Sequence, residues 1–269
     1  MRILVVDDML VVESGVARAV DEGGHTVVGA RDPAALRRLL EQDTDFQLAF
    51  VDLHYGRSAT ESGLAALEAL DHHNIPSVVF SADGEQNRLL FLLAAFEFFP
   101  ETSTFLSKHA GDQTINSIVE AIGRGDTPNG APSRRYRPSR KEPASYLQQL
   151  VRRTSDLPLW RALATHTTLS VIAGAAHCSQ RKVSLFISER QPVIAALQQQ
   201  LFDLPVVPAV REGERNTPLL EVCRFAQPNA DFFNDPDVER LIDQAWGDRP
   251  VQRSAASRFG DAYRRKMRK

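Results

Sequence analysis

Short runs of β-branched and apolar residues alternate with stretches of helical apolar period through the first 124 residues. The runs fall at 2–6, 25–30, 46–51, 76–81 and 103–107, and the periodic stretches at about 11–22, 33–42, 63–73, 84–97 and 112–123. Alternation of this kind reads as βαβ units around a parallel sheet. Each periodic stretch is long enough to be the crossover that parallel strands require. The pattern predicts a doubly wound α/β domain of five strands and five helices. Residues 125–143 break it: four prolines, two glycines, five basic residues and no apolar period read as a linker. Beyond the linker the periods are all helical, at about 144–153, 158–166, 169–176, 180–190 and 192–202, with a weaker one at 236–246. Between 203 and 235 the spacing of Pro205, Pro208, Gly213, Pro218 and Pro228 obscures any element. The organisation expected is therefore 1–124, linker 125–143, and a mainly helical domain 144–269.

Composition adds limits. The 269 residues are 43% apolar and 25% charged, a balance able to bury a core, which excludes general disorder. The longest apolar run, Leu89 to Phe96, is far too short to span a bilayer, and Met1-Arg2 leads directly into Ile3-Leu4-Val5-Val6. No membrane span or signal peptide is expected. Cys178 and Cys223 make no disulfide framework and read as core residues of a cytoplasmic protein. The formal charge of −2 hides an asymmetry. Residues 1–124 carry 9 Lys and Arg against 19 Asp and Glu, and residues 125–269 carry 23 against 15. The basic excess is concentrated in 133–190, with 11 basic residues against 3 acidic ones, a footprint for a polyanion.

In an open doubly wound sheet, ligands bind beyond the carboxyl ends of the strands. Asp7 and Asp8 follow the first strand, Asp52 the third, Ser81 ends the fourth, and Lys108 follows the fifth. Three carboxylates in one crevice repel one another unless a cation intervenes. Mg²⁺, a hard ion held by carboxylates, waters and phosphate, suits the place. Asp52 is then a candidate nucleophile through an aspartyl phosphate, with Lys108 and the Ser81 hydroxyl placed to neutralise phosphoryl oxygens.

The set Asp7-Asp8, Asp52-Leu53, Ser81-Ala82, and Phe105 three residues before Lys108 resembles the receiver domain of bacterial two-component response regulators. That resemblance covers 1–124. It implies strand order 2-1-3-4-5 and phosphorylation of Asp52 by a histidine kinase or phosphotransfer protein. Mg²⁺ would sit on Asp7, Asp8, Asp52 and the backbone carbonyl of His54, and Phe105 would swing inward as a switch. The chain departs from the family pattern in three places. The Met-Pro after Asp52 is missing and the glycine of that loop comes at Gly63, eleven residues on; His109 stands where proline is usual; extra residues occur around Phe96–Pro100. The fourth helix is apolar nearly all round, unlike a surface helix with a single stripe. Its reading is either extra core or, preferred here, burial against the second domain or a second subunit, with a homodimer through this face.

The segment Leu169–Val183 resembles the helix-turn-helix of LuxR/NarL-type response regulators, through Ile172-Ala173, Ser179 and Val183. Ser179 is a good N-cap. The family's glycine two residues before it is His177 here, and 79 residues follow Arg190 where the family nearly ends. With a helix-turn-helix at 169–190, Gln180, Arg181, Lys182 and Ser184 would contact DNA, and linker arginines and the basic tail Tyr263 to Lys269 would add backbone contacts. Asp235 and Pro236 read as a helix cap and first position, not as a metal loop. No nucleophile with a base, P-loop or metal-ligand set occurs in the second half, so no second catalytic activity is expected. The sequence reads as a transcription-regulating response regulator and not a separate enzyme. The alternative is a phosphorylation-dependent switch whose helical half binds a regulatory protein.

Overall fold

The computed structural model describes residues 1–55, 60–82, 88–126, 128, 135–138, 144–202 and 217–246. The basic tail, most of the linker and the proline-rich stretch 203–216 lie outside the described residues. Two compact units divide at Arg137 and Pro138.

The first unit is a five-stranded, all-parallel sheet in the order β2-β1-β3-β4-β5. The strands are β1 (Arg2–Val6), β2 (Thr26–Ala30), β3 (Leu48–Val51), β4 (Ser77–Ser81) and β5 (Thr102–Ser107). Between and after them come α1 (Leu10–Val20), α2 (Pro33–Leu40), α3 (Gly63–His72), α4 (Leu89–Phe98) and α5 (Asp112–Gly123). The central strands are apolar at successive positions because both faces are covered. Ile3, Val5, Leu48, Phe50, Val78 and Phe80 pack against Val16 and Val20 of α1 and Ile115, Ile118 and Val119 of α5. Leu4, Val6, Ala49, Val51 and Val79, on the alternate face, are equally buried.

Two expectations change in this unit. The chain itself buries every residue of α4 except Glu97, so α4 presents no exposed apolar face for a second subunit to cover. The linker also begins later than its composition suggests. Tyr136 is buried, its ring stacked on Phe96 with centroids 5.9 Å apart. The Arg137 guanidinium lies over Phe96 at 5.4 Å and donates to the Thr102 carbonyl of β5. One aromatic residue among prolines and arginines carries no periodicity, so its anchoring role is invisible in the pattern.

The second unit is helical: α6 (Tyr146–Leu150), α7 (Leu157–Thr165), α8 (Leu169–Ala175), α9 (Gln180–Phe202), α10 (Thr217–Ala226), α11 (Ala230–Asn234) and α12 (Pro236–Trp246). Trp160 is its centre. The indole stacks on Phe233 at 4.8 Å, meets Phe186 edge-on at 5.2 Å, and donates from Nε1 to the Leu150 carbonyl. The two periods at 180–190 and 192–202 are one helix running through Pro192. A proline inside a helix costs roughly 3 kcal/mol. Here the buried stripe Val183, Phe186, Ile187, Arg190, Ile194, Leu197 and Leu201 continues past it, and tertiary burial outweighs the lost hydrogen bond. α10 lies in the stretch whose prolines obscured it. Asp235 Oδ1 accepts from the amides of Asp237 and Val238, as a cap should. Cys223 is buried, whereas Cys178 is half-exposed and not a core residue.

Both tryptophans belong to the second unit, so the strap formed by Tyr136 has a selective readout. Tyr136→Ala should destabilise the first unit by about 3 kcal/mol, while Tyr136→Phe keeps the stack and most of the stability. Urea unfolding followed by far-ultraviolet circular dichroism should report the loss, with the tryptophan fluorescence midpoint unmoved.

Candidate functional site

The sheet register extends one residue past the strands and places the acids. Val6 pairs with Val51 across β1 and β3, the Asp52 amide donates to the Val6 carbonyl, and the Asp7 amide donates to Ala30 of β2. Asp7 and Asp52 therefore leave neighbouring strands side by side. Both are buried, at 4% and 7% exposure, while Asp8 is exposed. Asp7 Oδ1 accepts from the Met9 amide and turns the chain into α1. One carboxylate oxygen from each of Asp7, Asp8 and Asp52 lies within 4.8 Å of the others.

Lys108 reaches this cluster from the end of β5. Its amide donates to the Ser81 carbonyl, and its Nζ donates to Asp52 Oδ2 at 2.6 Å and sits 2.5 Å from Asp7 Oδ2. Ser107 closes the turn around Lys108. Its Oγ accepts from the His109 amide and its carbonyl from the Ala110 amide. Ser81 is buried and pairs with Ser107, and Phe105 is buried in β5 opposite Val79. The set read from the strand ends, Asp7, Asp8, Asp52, Ser81 and Lys108, is thus brought to one edge of the sheet. The His54 side chain is exposed, and it is the His54 backbone amide that hydrogen-bonds the Asp52 carboxylate.

Burial pushes the Asp52 carboxyl above its ordinary range, against the pull of the Lys108 ammonium. Burial alone would lower Lys108, but the hydrogen bond to Asp52 and the adjacent Asp7 carboxylate together outweigh it and leave the ammonium strengthened. Three carboxylates against one ammonium leave a net negative cluster at a partly dry strand end. Asp7 Oδ2 is buried and has Lys108 beside it as a charge contact without a directed hydrogen bond. An all-oxygen donor set with residual negative charge fits a hard divalent cation such as Mg²⁺.

Gly63 and Tyr55 are two residues whose part the strand-end logic does not reveal. A Cβ at Gly63 would collide with the Asp52 carbonyl and Leu53 Cα, so glycine permits the start of α3 to lie against the backbone that follows β3. Tyr55, three residues after Asp52, has a buried hydroxyl with no hydrogen-bond partner among the described residues. Burial raises its phenol well above the ordinary range, and the carboxylates of Asp52, Asp7, Asp32 and Asp8 add to the shift. A lone aromatic in a polar loop gives no periodic signal.

The second unit holds a helix-turn-helix at α8 and α9. His177 adopts φ 49°, the left-handed turn that glycine supplies in the family pattern. Ser179 Oγ accepts from the Lys182 amide, Ile172 and Val183 are buried, and Gln180, Arg181, Lys182 and Ser184 are all exposed on the first turns of α9. A groove of about 690 Å³ runs beside them, lined by Thr168, Ser170, Gln180, Ser184 and Ser188 among others. The basic footprint is narrower than its count. Arg190 is buried, bonded to the Leu150 carbonyl, Asp156 and Glu189; Arg152 pairs with Glu189 and Arg161 with Glu239. Arg181 and Lys182 have no such partner among the described residues.

The raised pKa of Asp52 has a stability consequence. The folded state binds the proton more tightly than the unfolded chain, so stability falls as pH rises from the ordinary carboxylate range through the raised value. Asp52→Asn should therefore be the more stable protein at neutral pH, and thermal melts at a series of pH values should show that advantage vanish below the ordinary carboxylate range.

No family model matches the chain, and no curated protein matches it. Solved structures do. NtrX from Brucella abortus is 23% identical with a TM-score of 0.40, over 46% of this chain and 27% of that one, so the match spans about a quarter of NtrX. The RcsB response regulator of Salmonella typhimurium is 17% identical with a TM-score of 0.48, over 72% of this chain and 92% of that one. RcsB from Salmonella enterica serovar Typhimurium, bound to a promoter in the presence of the phosphomimetic BeF3⁻, is 15% identical with a TM-score of 0.44, over 76% and 99%. These are similarities of fold.

Proposed function

We propose that this protein is a two-component response regulator that accepts a phosphoryl group on Asp52 and regulates transcription through α8 and α9. The observation that carries the reading is the Lys108 ammonium held between Asp7 and Asp52 at the ends of adjacent parallel strands. A carboxylate oxygen of Asp52 attacks phosphorus in a phosphohistidine whose other ring nitrogen is protonated, the P–N bond breaks with its electron pair going to the ring, and neutral imidazole leaves. Asp7, Asp8, Asp52 and the His54 carbonyl would hold Mg²⁺, which supplies charge neutralisation for the phosphoryl oxygens. Lys108 stabilises the transferred group, and the buried Ser81 hydroxyl is placed to turn toward it. Because the acceptor's own residues assist the transfer, the protein is a self-phosphorylating acceptor and not a separate enzyme. Met9, Leu10 and Val11, exposed beside Asp8, offer an apolar seat for a phosphodonor protein.

Movement of Lys108 off the carboxylates alters β5, which carries Phe105 and, through Thr102, the anchored strap of Tyr136 and Arg137. A local charge change thereby biases an element with two arrangements.

For the output, Arg181 and Lys182 occupy the first turn of α9, where cations oppose the helix dipole by about 0.3–1 kcal/mol. A phosphate backbone removes that conflict and gives the two cations their partners. Gln180 and Ser184 stand beside them for base edges. A second reading, binding to a regulatory protein, is favoured by the exposed Leu185 (58%) of α9 and Val171 (47%) of α8.

Two experiments test these halves separately. With Mg²⁺ and a small phosphodonor, mass spectrometry should find one phosphoryl adduct on the parent and none on Asp52→Asn; no adduct on the parent sinks the acceptor reading. DNA affinity of the full chain should fall steeply with salt, and Arg181→Ala and Lys182→Ala should each weaken binding and reduce the log–log slope by about 1. Salt-insensitive binding, with a stoichiometric protein complex instead, selects the second reading.

A further inference from the structure

Tyr55 has no part in the chemistry described so far, yet its place in the fold is costly. The side chain is 8% exposed and its hydroxyl is buried without a partner among the described residues. Leaving such a group unsatisfied is destabilising, and phenylalanine would fill the same volume without that cost. The phenol lies in the field of the carboxylates of Asp52, Asp7, Asp32 and Asp8, and an uncharged phenol is a hydrogen-bond donor. Oδ2 of both Asp52 and Asp7 already has the Lys108 ammonium beside it, and Asp7 Oδ1 and Asp32 Oδ1 accept from the amides of Met9 and Ala35. The loop thus holds a hydrogen-bond donor in reserve next to carboxylates that are largely supplied. A phosphoryl group on Asp52 would bring three new acceptor oxygens to this spot.

We propose that Tyr55 is a phosphoryl-binding residue, whose buried hydroxyl donates to an oxygen of the phosphoryl group carried by Asp52 and prolongs the life of the aspartyl phosphate. The proposal rests on the reading of Asp52 as the acceptor. A hydrogen bond made to the bound phosphoryl group and given up as it departs stabilises the ground state and slows the loss. The variant Tyr55→Phe keeps the ring and its packing and removes only the donor, so it separates this role from a structural one.

The test uses the full chain labelled with ¹³C at tyrosine Cζ, the Tyr55 resonance being the one absent from Tyr55→Phe. That resonance should move when Mg²⁺ and beryllofluoride, a phosphoryl mimic, are added together, and stay in place with Mg²⁺ alone. The phosphoryl adduct of Tyr55→Phe should decay roughly five-fold faster than that of the parent. A shift produced in full by Mg²⁺ alone overturns the proposal in favour of a donor to the cation's water shell, and equal lifetimes overturn it as well. An Asp52 adduct that never forms on the parent is a different failure: it overturns the acceptor reading and the Tyr55 proposal with it.

Discussion

One ammonium between two buried carboxylates is the interaction on which the first unit depends. Lys108 holds Asp7 and Asp52 together where the sheet's dry interior ends. Removing the lysine would leave two buried carboxylates without their counter-charge, which is far more destabilising than the pairing is stabilising. The surrounding features act to keep that geometry. Parallel register aligns the ends of β1 and β3, Ser107 turns the chain so that Lys108 points back, and Gly63 lets the start of α3 lie against the backbone that follows β3. The cluster still carries excess negative charge, and this imbalance makes it receptive to a divalent cation.

The same charges are used differently in the second unit. Arg190 is enclosed by the Leu150 carbonyl, Asp156, Glu189 and the face of Phe186, and it ties α6 and the approach to α7 onto the long helix α9. Arg161 joins α7 to the carbonyl of Phe233 and to Glu239 of α12. These arginines organise a helical core around Trp160. Arg181 and Lys182 stay outward at the start of α9, beside hydroxyl and amide side chains. A net charge counted along the sequence therefore overstates the surface available to a polyanion.

The acidic site was legible because each of its members follows a strand, and strand ends are marked by the switch from apolar run to polar residue. The helix-turn-helix was legible through Ser179 and Val183, and His177 takes the left-handed turn that its position requires. The homodimer face expected on α4 was not supported by its exposure, since a helix that is apolar all round can be covered wholly by its own chain. The reach of the first unit past residue 124 was missed because Tyr136 acts alone, by stacking on a residue forty positions earlier. Pro192 suggested two helices where burial along one stripe sustains one.

Local chemistry, then, was determined by the sequence itself: the period of each element, the caps at Asp32, Ser179 and Asp235, and the carboxylates and lysine at the strand ends. These depend on neighbours within a turn or a strand, so their signal is written in consecutive residues. Only the tertiary structure decided which arginines are buried, why Gly63 must lack a side chain, that Tyr136 straps β5 and α4, and that Tyr55 holds near the acids a hydroxyl unpaired among the described residues. Each of those is a contact or a missing contact between distant parts of the chain, and the free energy of burying a polar group is set by what the fold brings to it.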